Sequence, residues 1–249
     1  MPKILVGCPT ADLKEYCLEQ YVQRLKELTY KDFDILLVDN SKTEDYSKKI
    51  QSLGINCIKG EYHNSVPERV IKSRNILRNY ALEHDYDYLL SLEQDVLPPK
   101  DVIEQLLDVH QDIVSGITPH LLVKATTAQE IALIGIHDKN HPGSYTFFDY
   151  KNTLQYKGIL PVNYCALGCV LLSRKVLEKI QFRYEQVEPS INDLNVKWDD
   201  MCLCEDAEKE GFTIYANVGV KCEHLYYGGY SATLGNTEDI QKKPSQKAF

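Results

Sequence analysis

Asp87-Tyr88-Leu89-Leu90-Ser91-Leu92-Glu93-Gln94-Asp95 is an apolar run that stops at two carboxylates two positions apart. A buried strand ending in this way lies where an open α/β sheet binds its ligand, at the carboxyl ends of the strands. Paired carboxylates there suit a hard divalent cation, and such a cation suits a phosphate. The same residues also fit a strand followed by a solvated acidic turn, with Pro98-Pro99 opening the next helix.

Outward from this stretch, strand and helix signals alternate. Lys3–Cys8 is a β-rich run closed by Pro9, and Asp12-x-x-Glu15 has the form of a capping box. Leu13, Tyr16, Cys17, Tyr21, Leu25 and Leu28 then recur at helical spacing. Phe33–Val38 reads as a second strand, Thr43–Leu53 as a short helix stopped by Gly54, and Ile55–Ile58 as a third strand. Arg69–Glu83 reads as a helix before the fourth strand, Tyr86–Leu92, and Pro99–His110 as the helix after it. Such alternation predicts a parallel sheet with right-handed crossovers.

After Asp112–Ile117 the rhythm changes to short antiparallel strands, among them Ile131–Ile136 and Tyr145–Tyr150. Helices follow at Arg174–Ile180 and from about Asp199 to Glu210, and Thr213–Cys222 is the last β-rich run. The expected architecture is an α/β single domain over 1–227, with a mixed, mostly parallel central sheet flanked by helices. Residues 1–117 form its βα-alternating half and 118–227 its turn-rich half, while 228–249 lose periodicity and read as a flexible tail.

Composition narrows the function classes. The 249 residues carry a formal net charge of −8, which argues against a broad nucleic-acid or anionic-membrane surface. An acidic protein that handles phosphate needs a metal or a few placed cations. No run of about 18 apolar residues would span a membrane, so membrane contact would be peripheral. The eight cysteines form no Cys-x-x-Cys pair; with no secretory leader they read as buried thiols of a cytoplasmic protein.

Candidate site residues fall at strand ends and helix starts. Pro9 and Thr10 follow strand one. Asp39-Asn40-Ser41 follows strand two, either as a contact to a base or ribose or as an Asx turn capped by Ser41. Arg74 is placed to fork onto a phosphate or to form a surface ion pair. Trp198-Asp199-Asp200 opens a helix whose dipole holds carboxylates ionised, with Glu205-Asp206 in its second turn. His224 ends a β run, as a metal or diphosphate contact or as a structural histidine. His137, His141, Tyr145, Phe147, Phe148 and Tyr150 read either as an acceptor wall or as β core. Gly-x-Gly-x-x-Gly after strand one, Gly-x4-Gly-Lys-Ser/Thr and Gly-x-Ser-x-Gly are all absent, which disfavours dinucleotide oxidoreductases, P-loop enzymes and serine hydrolases.

The order of these pieces resembles family-2-type glycosyltransferases of the A-type nucleotide-sugar transferase (GT-A) fold. Ile35–Ser41 looks like their second-strand motif, and Ser73–Leu82 like the helix before the metal strand. Leu89–Asp95 stands where they carry Asp-x-Asp, with Glu93 in place of the first aspartate. Ala166–Arg174 resembles their acceptor-side strand, Trp198-Asp199-Asp200 through Gly211-Phe212 the helix that supplies the base, and Val220–His224 the closing strand with its histidine.

The resemblance implies an inverting, metal-dependent transferase that moves a sugar from a nucleotide-diphosphate sugar to a carbohydrate or other hydroxyl acceptor. Asp39 would contact the nucleotide beside Pro9 and Thr10, and Arg74 would approach the diphosphate. Asp95 would hold Mn2+ or Mg2+ with Glu93 nearby and His224 as a further contact. Asp200 would deprotonate the acceptor, with Asp199 as the alternative base. Two other readings remain beside it: a nucleotidyltransferase, although the first loop lacks a Gly-rich, Arg-containing pattern, and a non-catalytic nucleotide- or sugar-binding protein.

Overall fold

The computed structural model describes residues 1–124, 127–187, 196–226 and 230–232. In chain order, β1 (Ile4–Thr10) leads through a 3-10 helix (Asp12–Cys17) into α1 (Leu18–Lys26). Then come β2 (Phe33–Asp39), α2 (Asp45–Ser52), β3 (Asn56–Lys59) and α3 (Val66–Glu83). β4 (Tyr88–Leu92) and the short β5 (Val96–Leu97) precede α4 (Val102–Leu107) and β6 (Ile113–Ile117). The next elements are β7 (Pro119–Lys124), β8 (Thr127–His137), β9 (Tyr145–Asp149), α5 (Tyr150–Thr153) and β10 (Ile159–Val162). β11 (Tyr164–Cys165), β12 (Cys169–Ser173), α6 (Arg174–Lys179), β13 (Glu185–Gln186) and β14 (Val196–Lys197) follow. The described chain closes with α7 (Asp199–Lys209), β15 (Ile214–Lys221), β16 (Glu223–Tyr226) and β17 (Tyr230–Ala232).

Eight strands form the central sheet in the order β10-β15-β6-β12-β4-β1-β2-β3. Pairing is parallel from β4 through β1 and β2 to β3, and again between β6 and β15. β12 runs antiparallel between β4 and β6, and β10 is antiparallel to β15. The sheet is therefore mixed and mostly parallel, as expected. β7, β8, β9 and β11 make a separate antiparallel sheet.

Both faces of the central sheet are covered, so its strands are apolar on both sides. In β1, Ile4, Val6 and Cys8 join one core with α1 (Tyr21, Leu25) and α4 (Val102, Ile103, Leu106). Leu5 points into the other, with Leu77 of α3, Val176 and Leu177 of α6, and Leu203 of α7. Alternate residues of one strand thus serve two cores, the period-two rule of a pleated sheet. Gly116 of β6 marks a close approach: a Cβ there would lie 2.8 Å from Val220 and 3.2 Å from the Cys169 sulfur.

Several boundaries differ from the sequence expectation, each for a local reason. β1 continues through Pro9 to Thr10 because its pairing with β4 stops at Gly7, which leaves the proline at a free strand edge. The Asp12-x-x-Glu15 capping box does not form; the Asp12 N–H instead donates to Ser41 Oγ at 2.7 Å, and the first turn is 3-10. α3 starts earlier than Arg69, since Ser65 caps it by accepting from the Glu68 N–H and Pro67 sits in its first turn. α4 is shorter than Pro99–His110, and His110 lies beyond it in the left-handed region at φ 55°. Tyr230–Ala232, expected in a flexible tail, pairs with β16 as a strand; the rest of that expectation, 233–249, lies outside the described residues. No helix among the described residues is long and apolar enough to cross a membrane.

Candidate active site

β4 ends at Leu92, and the chain turns at Glu93, whose carbonyl accepts from the Val96 N–H at 2.9 Å. The turn carries Glu93, Gln94 and Asp95 past the sheet edge. β5 then pairs with β16, setting Val96 opposite His224, and the Leu225 N–H donates to the Asp95 carbonyl at 2.7 Å. This small sheet brings His224 Nε2 to 3.4 Å from Asp95 Oδ2. The Pro119 carbonyl accepts from His224 Nδ1 at 2.8 Å. A carbonyl can only accept, so Nδ1 carries a proton. Burial lowers the His224 pKa, but the hydrogen bond to Asp95 and its negative charge outweigh this and raise it. Nε2 therefore donates to Asp95 and would be open to a metal only once that proton is lost. Asp95 Oδ1 is buried with no hydrogen-bond partner among the described residues. Burial raises the Asp95 pKa, but the bond from His224 and the Lys14 ammonium outweigh it and hold the carboxyl at about 2.

Gln94, between the two acids, turns inward and is 1% exposed. Its Oε1 accepts from the Thr10 and Tyr46 hydroxyls, and its Nε2 donates to the Lys14 carbonyl at 2.6 Å. It locks the first loop to the end of β4 and aims the flanking carboxylates outward.

A second constellation joins α3, β4 and α7. Arg74 is 4% exposed, and its three guanidinium nitrogens go to protein acceptors: Nε to Asp199 Oδ2, Nη1 to Ser91 Oγ at 2.9 Å, and Nη2 to Glu93 Oε1 at 2.7 Å. The structure therefore differs from the expectation for Arg74: it neither approaches as a free phosphate fork nor forms a surface pair, but clamps Glu93 and Asp199. Asp200 is left outside that clamp. Its Oδ2 accepts from the Tyr164 hydroxyl at 2.6 Å and its Oδ1 from the Met201 N–H at 2.7 Å. Burial and the neighbouring Asp199 charge raise its pKa to about 6, against the two hydrogen bonds.

These groups face one cavity of about 510 Å³, whose wall includes Lys14, Arg74, Glu93, Asp95, Asp199, Asp200 and His224. Asp39, Pro9 and Thr10 do not line it. They form the neighbouring corner, where Thr10 stands in register with Asp39. Asp39 is fully buried; Oδ1 accepts from the Ser41 N–H at 2.8 Å, the expected Asx turn, while Oδ2 has no hydrogen-bond partner among the described residues.

Other candidates are placed elsewhere. Asp206 is held by both arms of Arg183 at 2.6 and 2.8 Å, and Glu205 by Lys197 at 2.8 Å, so both acids serve structure. None of His137, His141, Tyr145, Phe147, Phe148 and Tyr150 lines the cavity. Tyr145 and Phe147 instead pack on Tyr164 with ring centroids at 5.1 and 5.3 Å, buttressing the hydroxyl that holds Asp200. Lys14, Gln94 and Tyr164 were not anticipated; no local pattern marks them. The eight cysteines are unpaired and all but Cys57 are buried.

The architecture is similar to that of GalNAc-T7, solved with UDP, GalNAc and Mn2+, at 13% identity and a TM-score of 0.62, covering 91% of this chain and 44% of that one. It is also similar to the mannosyltransferase PcManGT from Pyrobaculum calidifontis in complex with GDP-Man and Mn2+, at 14% identity and a TM-score of 0.56, covering 92% and 59%. A197 from STIV matches at 18% identity over 90% of this chain and 86% of that one, with a TM-score of 0.47. No protein-family model and no curated protein matches the sequence. The chain spans roughly half the length of the two glycosyltransferases it matches. At these identities the likeness defines the fold: the chain has the GT-A fold of nucleotide-sugar transferases.

Proposed function

We propose that this protein is a metal-dependent, inverting glycosyltransferase that moves a sugar from a nucleotide-diphosphate sugar to a hydroxyl acceptor. The observation that carries the reading is the division of labour among four carboxylates around one cavity. Arg74 holds Glu93 and Asp199, Asp95 faces His224, and Asp200 alone remains as a hydrogen-bonded carboxylate with its pKa raised to about 6. A general base works best when its pKa lies near the operating pH. With Glu93 and Asp199 clamped and Asp95 facing His224, no second carboxylate among the described residues of the cavity wall is free to act as a nucleophile. One base and one displacement imply inversion.

The charge balance supports the metal. Four carboxylates line the cavity against two cations, Lys14 and Arg74, so a diphosphate entering alone would meet excess negative charge. Asp95 with its unpartnered Oδ1, together with His224 Nε2, would hold a divalent cation and leave its other positions to phosphate and water. A mixed oxygen and nitrogen set favours Mn2+ over Mg2+. When bound, the cation supplies Lewis-acid neutralisation of the departing nucleoside diphosphate. Asp39, through its free Oδ2, would accept from a ribose hydroxyl or base N–H beside Pro9 and Thr10. Asp200 takes the proton of the acceptor hydroxyl while Tyr164 orients its carboxylate. Residues 1–117 thus serve the donor and 118–227 the acceptor. The unpaired thiols suit the cytoplasm.

The test is sugar transfer from a panel of nucleotide sugars with Mn2+ present. Asp200→Asn and Asp95→Asn should each lower turnover by roughly 100-fold or more. Undiminished activity in either variant removes that residue from its role. Pyrophosphate release from a nucleoside triphosphate and a sugar phosphate would instead indicate a nucleotidyltransferase. Nucleotide binding without turnover over a broad acceptor panel would leave a binding protein on the same fold.

A further inference from the structure

Lys14 stands in the 3-10 helix between β1 and α1, and among the described residues its ammonium has one hydrogen-bond acceptor, Asp95 Oδ2. That oxygen is also the one facing His224 Nε2. A cation held between Asp95 Oδ2 and His224 Nε2 would therefore take the place of the ammonium. The two partners are unequally mobile. The Lys14 side chain is 40% exposed and the Asp95 side chain 7%. The Lys14 carbonyl is tied down by Gln94 Nε2 at 2.6 Å and by Cys17 Sγ at 3.2 Å. The backbone is fixed beside Asp95 while a flexible four-carbon stem lets the charge swing.

We propose that Lys14 is a tethered competitor for the divalent cation at Asp95, displaced when metal and a nucleoside diphosphate arrive together and then serving the diphosphate as a counter-ion. This rests on the proposed function only in that a divalent cation and a nucleoside diphosphate share this cavity. A metal arriving alone must break the Lys14–Asp95 pair and leaves an ammonium beside a doubly charged ion. The diphosphate relieves both penalties by accepting the released ammonium. Metal and nucleotide binding are then strongly coupled, and the coupling is reciprocal. In the empty protein the same ammonium shares with His224 the pairing of a buried carboxylate.

The experiment measures Mn2+ binding to the full chain by electron paramagnetic resonance of the free ion, with and without UDP or GDP. For the wild type, nucleotide should tighten Mn2+ binding about tenfold or more. Lys14→Met should bind Mn2+ alone about tenfold more tightly than the wild type, with the nucleotide effect reduced to a few-fold. Lys14→Arg, which keeps the charge, should retain the coupling. If near-ultraviolet circular dichroism finds Lys14→Met misfolded, Lys14→Gln carries the same expectation. Lys14→Met binding Mn2+ no more tightly than the wild type overturns the inference, provided Asp95→Asn abolishes binding. Asp95→Asn binding Mn2+ like the wild type removes the metal site itself, and the inference falls with it. Nucleotide binding that needs Lys14 but no metal would make Lys14 a permanent counter-ion and overturn the competitor role.

Discussion

Asp200 is held by one hydroxyl and one backbone N–H at the start of α7, beside an acid that already has an arginine. Its carboxyl titrates near 6 in the folded chain, from an ordinary value of 3.8. The folded state therefore holds this proton more tightly than the unfolded chain does. The penalty of ionising it appears as pH rises from about 4 through 6 and is complete above that range. Asp200→Asn removes the penalty and should stabilise the protein by about 1–3 kcal/mol at pH 8, with the gain fading near pH 4. Denaturant titrations at the two pH values check this; equal stability of mutant and wild type at pH 8 would refute the assigned environment. Activity should fall as pH drops through about 6. Tyr164→Phe removes a bond that favours the ionised form, so the falling limb should move to higher pH. Asp199, Glu93, Tyr164 and the Met201 N–H are the groups that set this value.

At the scale of elements, Arg74 is the joint between α3, β4 and α7. Arg74→Ala would leave Asp199 buried without its partner, and loss of one member of a buried pair costs about 3–5 kcal/mol. Urea unfolding measures that loss. Arg74→Lys should recover only part of it, because an ammonium lacks the planar fork that reaches three acceptors. The elements themselves were largely legible. The apolar run Leu89–Leu92 is β4, and Gly211, at φ 80°, stops α7 as read. The joints were not. Arg74 invited a phosphate role because the sequence sets it near a helix start, where arginine is usually available; in the fold Asp199 of α7, 125 residues away, occupies it together with Ser91 and Glu93. Lys14 meets Asp95 across 81 residues and Tyr164 meets Asp200 across 36. Contacts at such separations leave no periodic trace, whereas strands and helices write their periods locally. The Asp12-x-x-Glu15 pattern shows the converse, a local signal overridden by a tertiary bond to Ser41.

For the whole molecule, the parallel part of the sheet was readable from alternation and its mixed character from the change of rhythm after Ile117, while the antiparallel insertion of β12 between β4 and β6 was not. Strand order depends on which apolar edges meet, and several orders bury similar area. The GT-A architecture then explains why residues from β4, α7 and β16 converge at one edge. A ligand that binds only the native state raises stability by mass action. UDP or GDP at about 100 times its dissociation constant, with Mn2+, should add about 2.7 kcal/mol, visible as a rise in melting temperature. No rise with any nucleoside diphosphate would count against the donor half. The central sheet receives its last strand at Lys221, whereas His224 rides on the three-stranded annex β17-β16-β5. Framework and chemistry thus belong to different sheets, so a substitution that unpairs β5 from β16 would part His224 from Asp95 while every pairing of the eight-stranded sheet stayed in place.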